Sequence, residues 1–171
     1  VPAGEPTDRS IDALAQLLSP GDTVINGGNS YYKDDMRHAE ALKARRLSFL
    51  DVGTSGGIWG AEGGYSLMVG GDREVFRRLE PLFQALAPGA DRGYGYVGPA
   101  GAGHFVKMVH NGVEYALMQS YAEGFELLKA KSDFPLDVAQ IAQIWRHGSV
   151  VRSFLLDLTA DALRQDPDLA T

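Results

Sequence analysis

No cysteine occurs among the 171 residues, which excludes disulfides and thiolate metal sites and fits a reducing cytosol. No apolar run approaches the roughly 20 residues that a membrane-spanning helix needs, and no signal peptide opens the chain. An excess of positive charge is missing as well: 16 Lys and Arg stand against 22 Asp and Glu, a net charge of -6. A nucleic-acid or anionic-membrane partner is therefore not expected, and any anionic ligand must be held by local contacts. The histidines, at 38, 104, 110 and 147, lack metal-ligand spacing, so no metal site is expected. The Gly-x-Gly-x-x-Gly dinucleotide fingerprint is absent too, since Gly98, Gly101 and Gly103 have the wrong spacing for it. Neither end reads as a natural terminus. Val1-Pro2-Ala3-Gly4 looks like a strand end running into a loop, and Asp166 to Thr171 stops without a closing element. The expectation is a segment internal to a longer chain, short of the phosphate-binding half of a cofactor fold and inactive by itself.

What is present is an ordinary globular composition, 44% hydrophobic and 22% charged, long enough for one domain or pieces of two. The 21 glycines cluster at joints between periodic segments, as in tight loops around a ligand. Ile11, Leu14, Leu17 and Leu18 predict a helix over 8–18, ended by Pro20-Gly21. Thr23 to Asn26, Leu47 to Val52, Tyr65 to Val69 and Tyr94 to Val97 read as strands. Ser30 can cap a helix with Asp34 and Asp35 in its first turn and Arg45-Arg46 in its last. Val75, Phe76, Leu79, Leu82, Phe83 and Leu86 make a helical stripe that Pro81 should break or kink. Strands separated by helices indicate βαβ units and a mostly parallel sheet. After Gly103 the pattern is helical only: about 104–131, then 137–146 and 151–164. The fold expected is α/β followed by all-α, with a boundary near Pro99 to Gly103.

Three segments carry chemistry. In the run from His104 to Tyr115, Lys107, His110, Asn111, Glu114 and Tyr115 fall within an arc of about 140° at 100° per residue. The intervening Phe105, Val106, Met108, Val109 and Val113 are expected to be buried. The polar stripe is either a solvated face or a ligand-facing one. Gly112, costly inside a helix, suggests something packed close to the backbone. The second segment, Gly53-Thr54-Ser55-Gly56-Gly57, matches the Gly-x-Ser-x-Gly nucleophile elbow, but no helix is expected behind Ser55, as the elbow requires. The alternatives are a glycine turn, or N–H groups and a hydroxyl offered to a carboxylate. The third, Asn26-Gly27-Gly28-Asn29-Ser30, follows a strand; Asn29 either occupies a left-handed turn position or presents its amide to a ligand.

Together, Gly27-Gly28-Asn29-Ser30, Ser55-Gly56-Gly57 and the Lys107-x-x-His110-Asn111-Gly112-x-Glu114-Tyr115 run resemble the signature segments of the 6-phosphogluconate dehydrogenase family. The last run is the most specific; Ser-Gly-Gly is shared with β-hydroxyacid dehydrogenases such as 3-hydroxyisobutyrate dehydrogenase. The resemblance implies residues 1–99 as the C-terminal part of a Rossmann-like NAD(P)-binding domain and 100–171 as the first part of a helical domain. It implies oxidative decarboxylation of 6-phosphogluconate with NADP or NAD, in the pentose phosphate pathway. Lys107 would be the general base and Glu114 the acid that protonates the enediol. Ser55, Gly56, Gly57, His110 and Asn111 would hold the substrate's carboxylate and hydroxyls, with Asn29 alongside, and Tyr115 its phosphate. Val1, Pro2, Ala3 and Asn29 would line the cofactor.

After Gly57 the chain continues Ile58-Trp59-Gly60-Ala61-Glu62, where the longer family form carries acidic residues and an Arg. That departure looks like the shorter bacterial branch, which often prefers NAD. The Arg and His residues that complete the phosphate site in the family are expected beyond Thr171. A cytoplasmic homo-oligomer built through the helical domain, a dimer in the family, is the assembly implied. The rival expectations are another β-hydroxyacid dehydrogenase, a serine hydrolase at Ser55, and a helical protein-binding module.

Overall fold

Four short strands form one sheet in the order β1 (Thr23–Asn26), β2 (Ser48–Ser55), β3 (Ser66–Gly71), β4 (Tyr94–Gly98). In this computed structural model the described residues are 1–167. The last few residues of the expected second domain, 168–171, lie outside them. β1 pairs β2 in parallel and β3 pairs β4 in parallel, whereas β2 and β3 are antiparallel, with Asp51 opposite Gly70 and Ser55 opposite Ser66. The antiparallel step departs from a plain succession of βαβ units. Between β2 and β3 the chain has only a 3-10 turn (Gly57–Trp59) and the one-turn helix α3 (Gly60–Gly63). That is too little for the crossover a parallel pair requires.

Helices cover the sheet. α1 (Glu5–Leu17) and α2 (Tyr32–Lys43) pack Ile11, Ala15 and Leu42 against Val24, Leu47 and Phe49. α1 begins earlier than its apolar spacing indicated, because Pro6 suits a first turn. α4 (Arg73–Leu86) packs Val75, Phe76 and Phe83 against Leu50, Val52, Leu67 and Val69. Its N-cap Asp72 accepts hydrogen bonds from the N–H groups of Glu74 and Val75. Pro81 does not end it; the helix runs through. Pro81 and Arg77, whose carbonyl is freed by the missing N–H, are both exposed, so water can satisfy it.

Ser30 does not cap α2. The N-cap is Tyr31, the Ser30 hydroxyl instead accepts from Asn26 Nδ2, and Arg45-Arg46 lie beyond the last helical turn. No described helix is long and apolar enough to cross a membrane.

The chain divides into two compact units, Val1–His110 and Asn111–Thr171, and the division falls within the long helix α5 (Ala102–Ala130). In the second unit, α6 (Val138–Trp145) and α7 (Phe154–Gln165) are capped by Asp137 and Ser153, which accept from the N–H groups of Gln140 and Leu156. They enclose Phe125, Val138, Ala142, Leu156, Ala160 and Leu163. Arg146 bridges them through Asp157 at 3.0 Å and Asp161 at 2.9 Å.

Candidate active site

Alternate side chains of a strand share one face. On β2 that puts Phe49, Asp51, Gly53 and Ser55 in a row, and each meets a different neighbour. Phe49 enters the core under α1 and α2. Asp51, fully buried, caps the start of α5, accepting from Gly101 N at 2.7 Å and His104 N at 2.9 Å. Gly53 is where α5 comes closest: a Cβ there would stand 2.5 Å from the Gly103 carbonyl oxygen and 2.5 Å from Lys107 Cβ. Gly70, opposite Asp51, leaves room for the same helix, since a Cβ would lie 2.7 Å from Gly103 N. At the strand's end Ser55 Oγ lies 3.4 Å from His110 Nε2. Four strand residues advance about 13 Å, which matches the roughly 9–13 Å that α5 rises from its first turn to His110. Strand and helix therefore run in step.

Lys107 is only 7% exposed, and its Nζ is 3.3 Å from His110 Nδ1. Ser55, His110 and Lys107 thus come together. Serine and lysine lie on opposite sides of one imidazole, whose two nitrogens face different partners.

A second polar cluster lies one turn earlier. His104 Nδ1 is 2.6 Å from Asp35 Oδ2, and His104 Nε2 is 2.5 Å from the Gly28 carbonyl oxygen. Asp35 Oδ1 accepts from Asn26 Nδ2 at 2.9 Å, and Asn26 Oδ1 accepts from Gly28 N at 3.2 Å. Burial opposes the charge on His104. Its hydrogen bond to Asp35, the charge of Asp35, the Gly28 carbonyl and the charge of Asp51 nevertheless hold its pKa above the ordinary histidine value. Burial pushes the Asp51 carboxyl up, against the N–H groups of His104 and Gly101 that favour its ionised form. Asp35, Asp51 and His104 have the mutual spacing of a cation site, but their donor atoms are already engaged with one another and with the backbone.

Sequence reading missed this cluster. Two signals pointed to it: an aspartate inside a strand of otherwise apolar character, and a histidine three residues before Lys107, on the same helical face.

Other expectations need correction. Phe105, Val106, Met108, Val109 and Val113 are 36–56% exposed, while His104 and Lys107 are buried. Within the first unit, the start of α5 turns its polar side toward the sheet. The reason is the glycine-lined approach at residues 53, 70 and 103, which admits backbone and a lysine stem but no bulky apolar side chain. Apart from its chain neighbours and the backbone of its own helix, nothing among the described residues lies within 4 Å of a Cβ built at Gly112. Asn29 is exposed and does not have a positive φ; among non-glycine described residues only Arg46 does.

A short helical stretch does follow Ser55, contrary to expectation. Ser55 is nonetheless an ordinary ladder residue opposite Ser66, not the strained apex that a nucleophile elbow requires. Gly56 and Gly57 adopt φ of 131° and 54°, backbone that favours glycine, and are exposed. Val1, Pro2 and Ala3 are exposed, with the Pro2 carbonyl accepting from Thr7 Oγ1. Asn111 and Glu114 are half-buried and Tyr115 is 70% exposed in the second unit. A cavity of about 480 Å³ in that unit is lined by residues such as Met118, Phe125 and Leu155 and by none of the expected site residues.

Residues 1–98 match the NAD binding domain of 6-phosphogluconate dehydrogenase, and 103–135 with 120–171 match the C-terminal domain of the same enzyme. The chain belongs to the 6-phosphogluconate dehydrogenase family. Its α/β part is a Rossmann-like NAD-binding domain and the helical part follows it, as in that family. The NAD(+)-dependent, decarboxylating 6-phosphogluconate dehydrogenase of Haloferax volcanii is 51% identical over 97% of this chain and 54% of its own length. The chain thus spans about half the length of that relative. Among solved structures, Plasmodium falciparum 6-phosphogluconate dehydrogenase, described apo, with NADP+ and with 6-phosphogluconate, matches with a TM-score of 0.87. It is 29% identical, over 95% of this chain and 36% of its own. A 3-hydroxyisobutyrate dehydrogenase from Salmonella typhimurium matches less well, with a TM-score of 0.75 at 26% identity over 96% of this chain and 56% of its own.

Proposed function

We propose that the full-length protein carrying this chain oxidises and decarboxylates 6-phosphogluconate to ribulose 5-phosphate and carbon dioxide, reducing NAD or NADP. The observation that carries this reading is the buried Lys107 beside His110 and Ser55, in a chain of this family. A lysine freed of water loses the solvation that favours its ammonium form and can act as a neutral base.

The residues present fit a nicotinamide cofactor. Gly27 has nothing within 4 Å of where its Cβ would stand, and Asn29 is exposed beside it. This open loop leaves the carboxyl end of a strand paired in parallel with its neighbour, the place where α/β sheets bind ligands. Asn29 and the segment Val1-Pro2-Ala3 would hold the cofactor, which when bound supplies the hydride acceptor.

Lys107 takes the proton of the substrate's 3-hydroxyl as C3 is oxidised. The resulting β-keto acid loses its carboxylate, and Glu114 protonates C1 of the enediol that remains. Ser55, Gly56, Gly57, His110 and Asn111 hold the carboxylate and hydroxyls, with Asn29 at the boundary between substrate and cofactor, and Tyr115 meets the phosphate. The same reading makes 1–99 the cofactor domain and 100–171 the start of the helical domain, supported by matches that end at 98 and resume at 103. It also makes the protein cytoplasmic and a homo-oligomer, the oligomer alone being supported by the exposed apolar side chains of Phe105, Met108, Val109 and Val113.

The test is a substrate comparison with the full-length protein. Reduction of NAD or NADP should require 6-phosphogluconate and release carbon dioxide, with gluconate and 3-hydroxyisobutyrate giving little. Preference for the unphosphorylated 3-hydroxy acid would move the protein to the neighbouring β-hydroxyacid dehydrogenases.

Ser55→Ala should weaken substrate binding and slow turnover without abolishing either, since one hydrogen bond to a charged group contributes about 1.5–3 kcal/mol. Steady-state kinetics checks this. Complete inactivity at normal substrate affinity would mark Ser55 as a nucleophile.

A further inference from the structure

His104 has no part in the reaction just described, yet it is 2% exposed and both of its ring nitrogens meet a partner. The partners identify the protons. A backbone carbonyl only accepts, so Nε2 must carry a hydrogen toward Gly28. Nδ1 faces a carboxylate oxygen whose twin, Oδ1, already accepts from Asn26. With Asp35 ionised, Nδ1 donates as well and the ring is an imidazolium. The charged groups around it are Asp35 from α2 and Asp51 from β2, both buried and both favouring a cation between them.

The position of this ring is what gives it a use. On one side it holds the carbonyl of Gly28, the residue before Asn29. On the other it belongs to the first turns of α5, one turn before Lys107, about 4.5 Å along the axis. Asn26 extends the same network to the amide of Gly28 and the hydroxyl of Ser30. The loop bearing Asn29 and the helix bearing Lys107 come from distant parts of the chain, and this one side chain fastens each to the other.

Resting on the functional reading above, we propose that His104, as an imidazolium paired with Asp35, is a positioning residue. It sets the register between the Asn29 loop and Lys107, so that the cofactor side and the base side of the hydride step are aligned by a single ring. A displacement of about 1 Å at a reacting centre can slow a reaction about a hundred-fold, so the loss of this link should appear in the chemical step more than in binding.

The test combines ring protonation with a pair of substitutions in the full-length protein. In the wild type without ligands, ¹H–¹⁵N correlation spectra of labelled histidine should show both His104 nitrogens still protonated at a pH just above the ordinary histidine pKa of about 6.5. A singly protonated ring there overturns the ion pair, whatever the activity.

His104→Gln presents an amide oxygen to the Asp35 carboxylate if its NH₂ keeps the Gly28 bond, so acceptor would face acceptor. Single-turnover hydride transfer should fall about a hundred-fold, with a larger deuterium isotope effect and only few-fold changes in cofactor and substrate affinity. Asp35→Asn leaves a neutral His104 fully hydrogen-bonded, with one ring proton in the spectrum, and should be mild. Added to His104→Gln it turns the clash into a hydrogen bond and should recover most of the lost rate.

A role in filling space alone would penalise both variants carrying His104→Gln alike. Native hydride transfer in folded His104→Gln, or no recovery in the double variant, overturns the proposal. Should His104→Gln fail to fold, the double variant, which restores the hydrogen bond between positions 35 and 104, carries the test: hydride transfer within a few-fold of native supports the link, and a hundred-fold loss in the folded double variant overturns it. A folded wild type with the doubly protonated ring but no activity on 6-phosphogluconate would overturn the functional reading and not the ion pair.

Discussion

Replacing Lys107 by Met in the full-length protein should leave it folded and able to bind substrate, but unable to reduce its cofactor. The substitution keeps the length of the side chain and removes the amine. Met has no charge to desolvate, and Lys107 is only 7% exposed, so the stability of the fold should not suffer. His110, with Nδ1 3.3 Å from Nζ and Nε2 3.4 Å from Ser55 Oγ, is proposed to hold substrate and is not expected to take over as base.

General acid–base groups contribute about a hundred- to ten-thousand-fold, and loss of the base acts on hydride transfer itself. Glu114→Gln should behave differently. It keeps size and hydrogen-bonding reach but lacks the carboxyl proton, so protonation of the enediol at C1 slows while the hydride step suffers less. Absorbance of the reduced nicotinamide in a single turnover, followed beside tritium uptake into product C1, separates the two steps. Native cofactor reduction by Lys107→Met would remove Lys107 as the base. Unchanged C1 protonation in Glu114→Gln would reduce Glu114 to a neighbour of the site.

Gly53→Ala should have the largest effect on the fold. A methyl group at this position would stand 2.5 Å from the Gly103 carbonyl oxygen and from Lys107 Cβ. Neither atom can rotate away: one is backbone and the other is the root of a side chain. The start of α5 must therefore move off the sheet by about 1 Å to reach ordinary van der Waals separation. Overpacking of this kind costs about 1–3 kcal/mol. The displacement also stretches the bonds from Gly101 N and His104 N to Asp51, each worth about 1.5–3 kcal/mol because the acceptor is charged. The variant should melt at a lower temperature and transfer hydride slowly, because Lys107 moves with the helix. Thermal unfolding by circular dichroism and single-turnover kinetics measure the two effects. Native values for both would mean that helix and strand are not in close contact at Gly53.

Much of the candidate site was legible because helical periodicity is local. The spacing of Lys107, His110, Asn111, Glu114 and Tyr115 sets them on one side of any helix they form, whatever surrounds it. The alternation in β2 likewise sets Asp51, Gly53 and Ser55 on one side of that strand, and the glycine joints at 27–28 and 56–57 marked the loops beside them. These properties follow from the backbone geometry of a few consecutive residues, and the sequence by itself determined them.

Periodicity does not say which side of an element faces inward. The apolar residues of α5 were expected to be buried because burial of apolar surface usually dominates. The outcome was decided by Gly53, Gly70 and Gly103, which bring helix and sheet too close for anything but backbone and a lysine stem. Whether β2 and β3 run parallel or antiparallel was likewise settled by how little helix forms between Gly56 and Tyr65. The pairing of His104 with Asp35 and Gly28 joins residues separated by 69 and 76 positions. Only the tertiary structure decided these features, because each depends on the distance between segments remote in sequence, a quantity that no local pattern encodes.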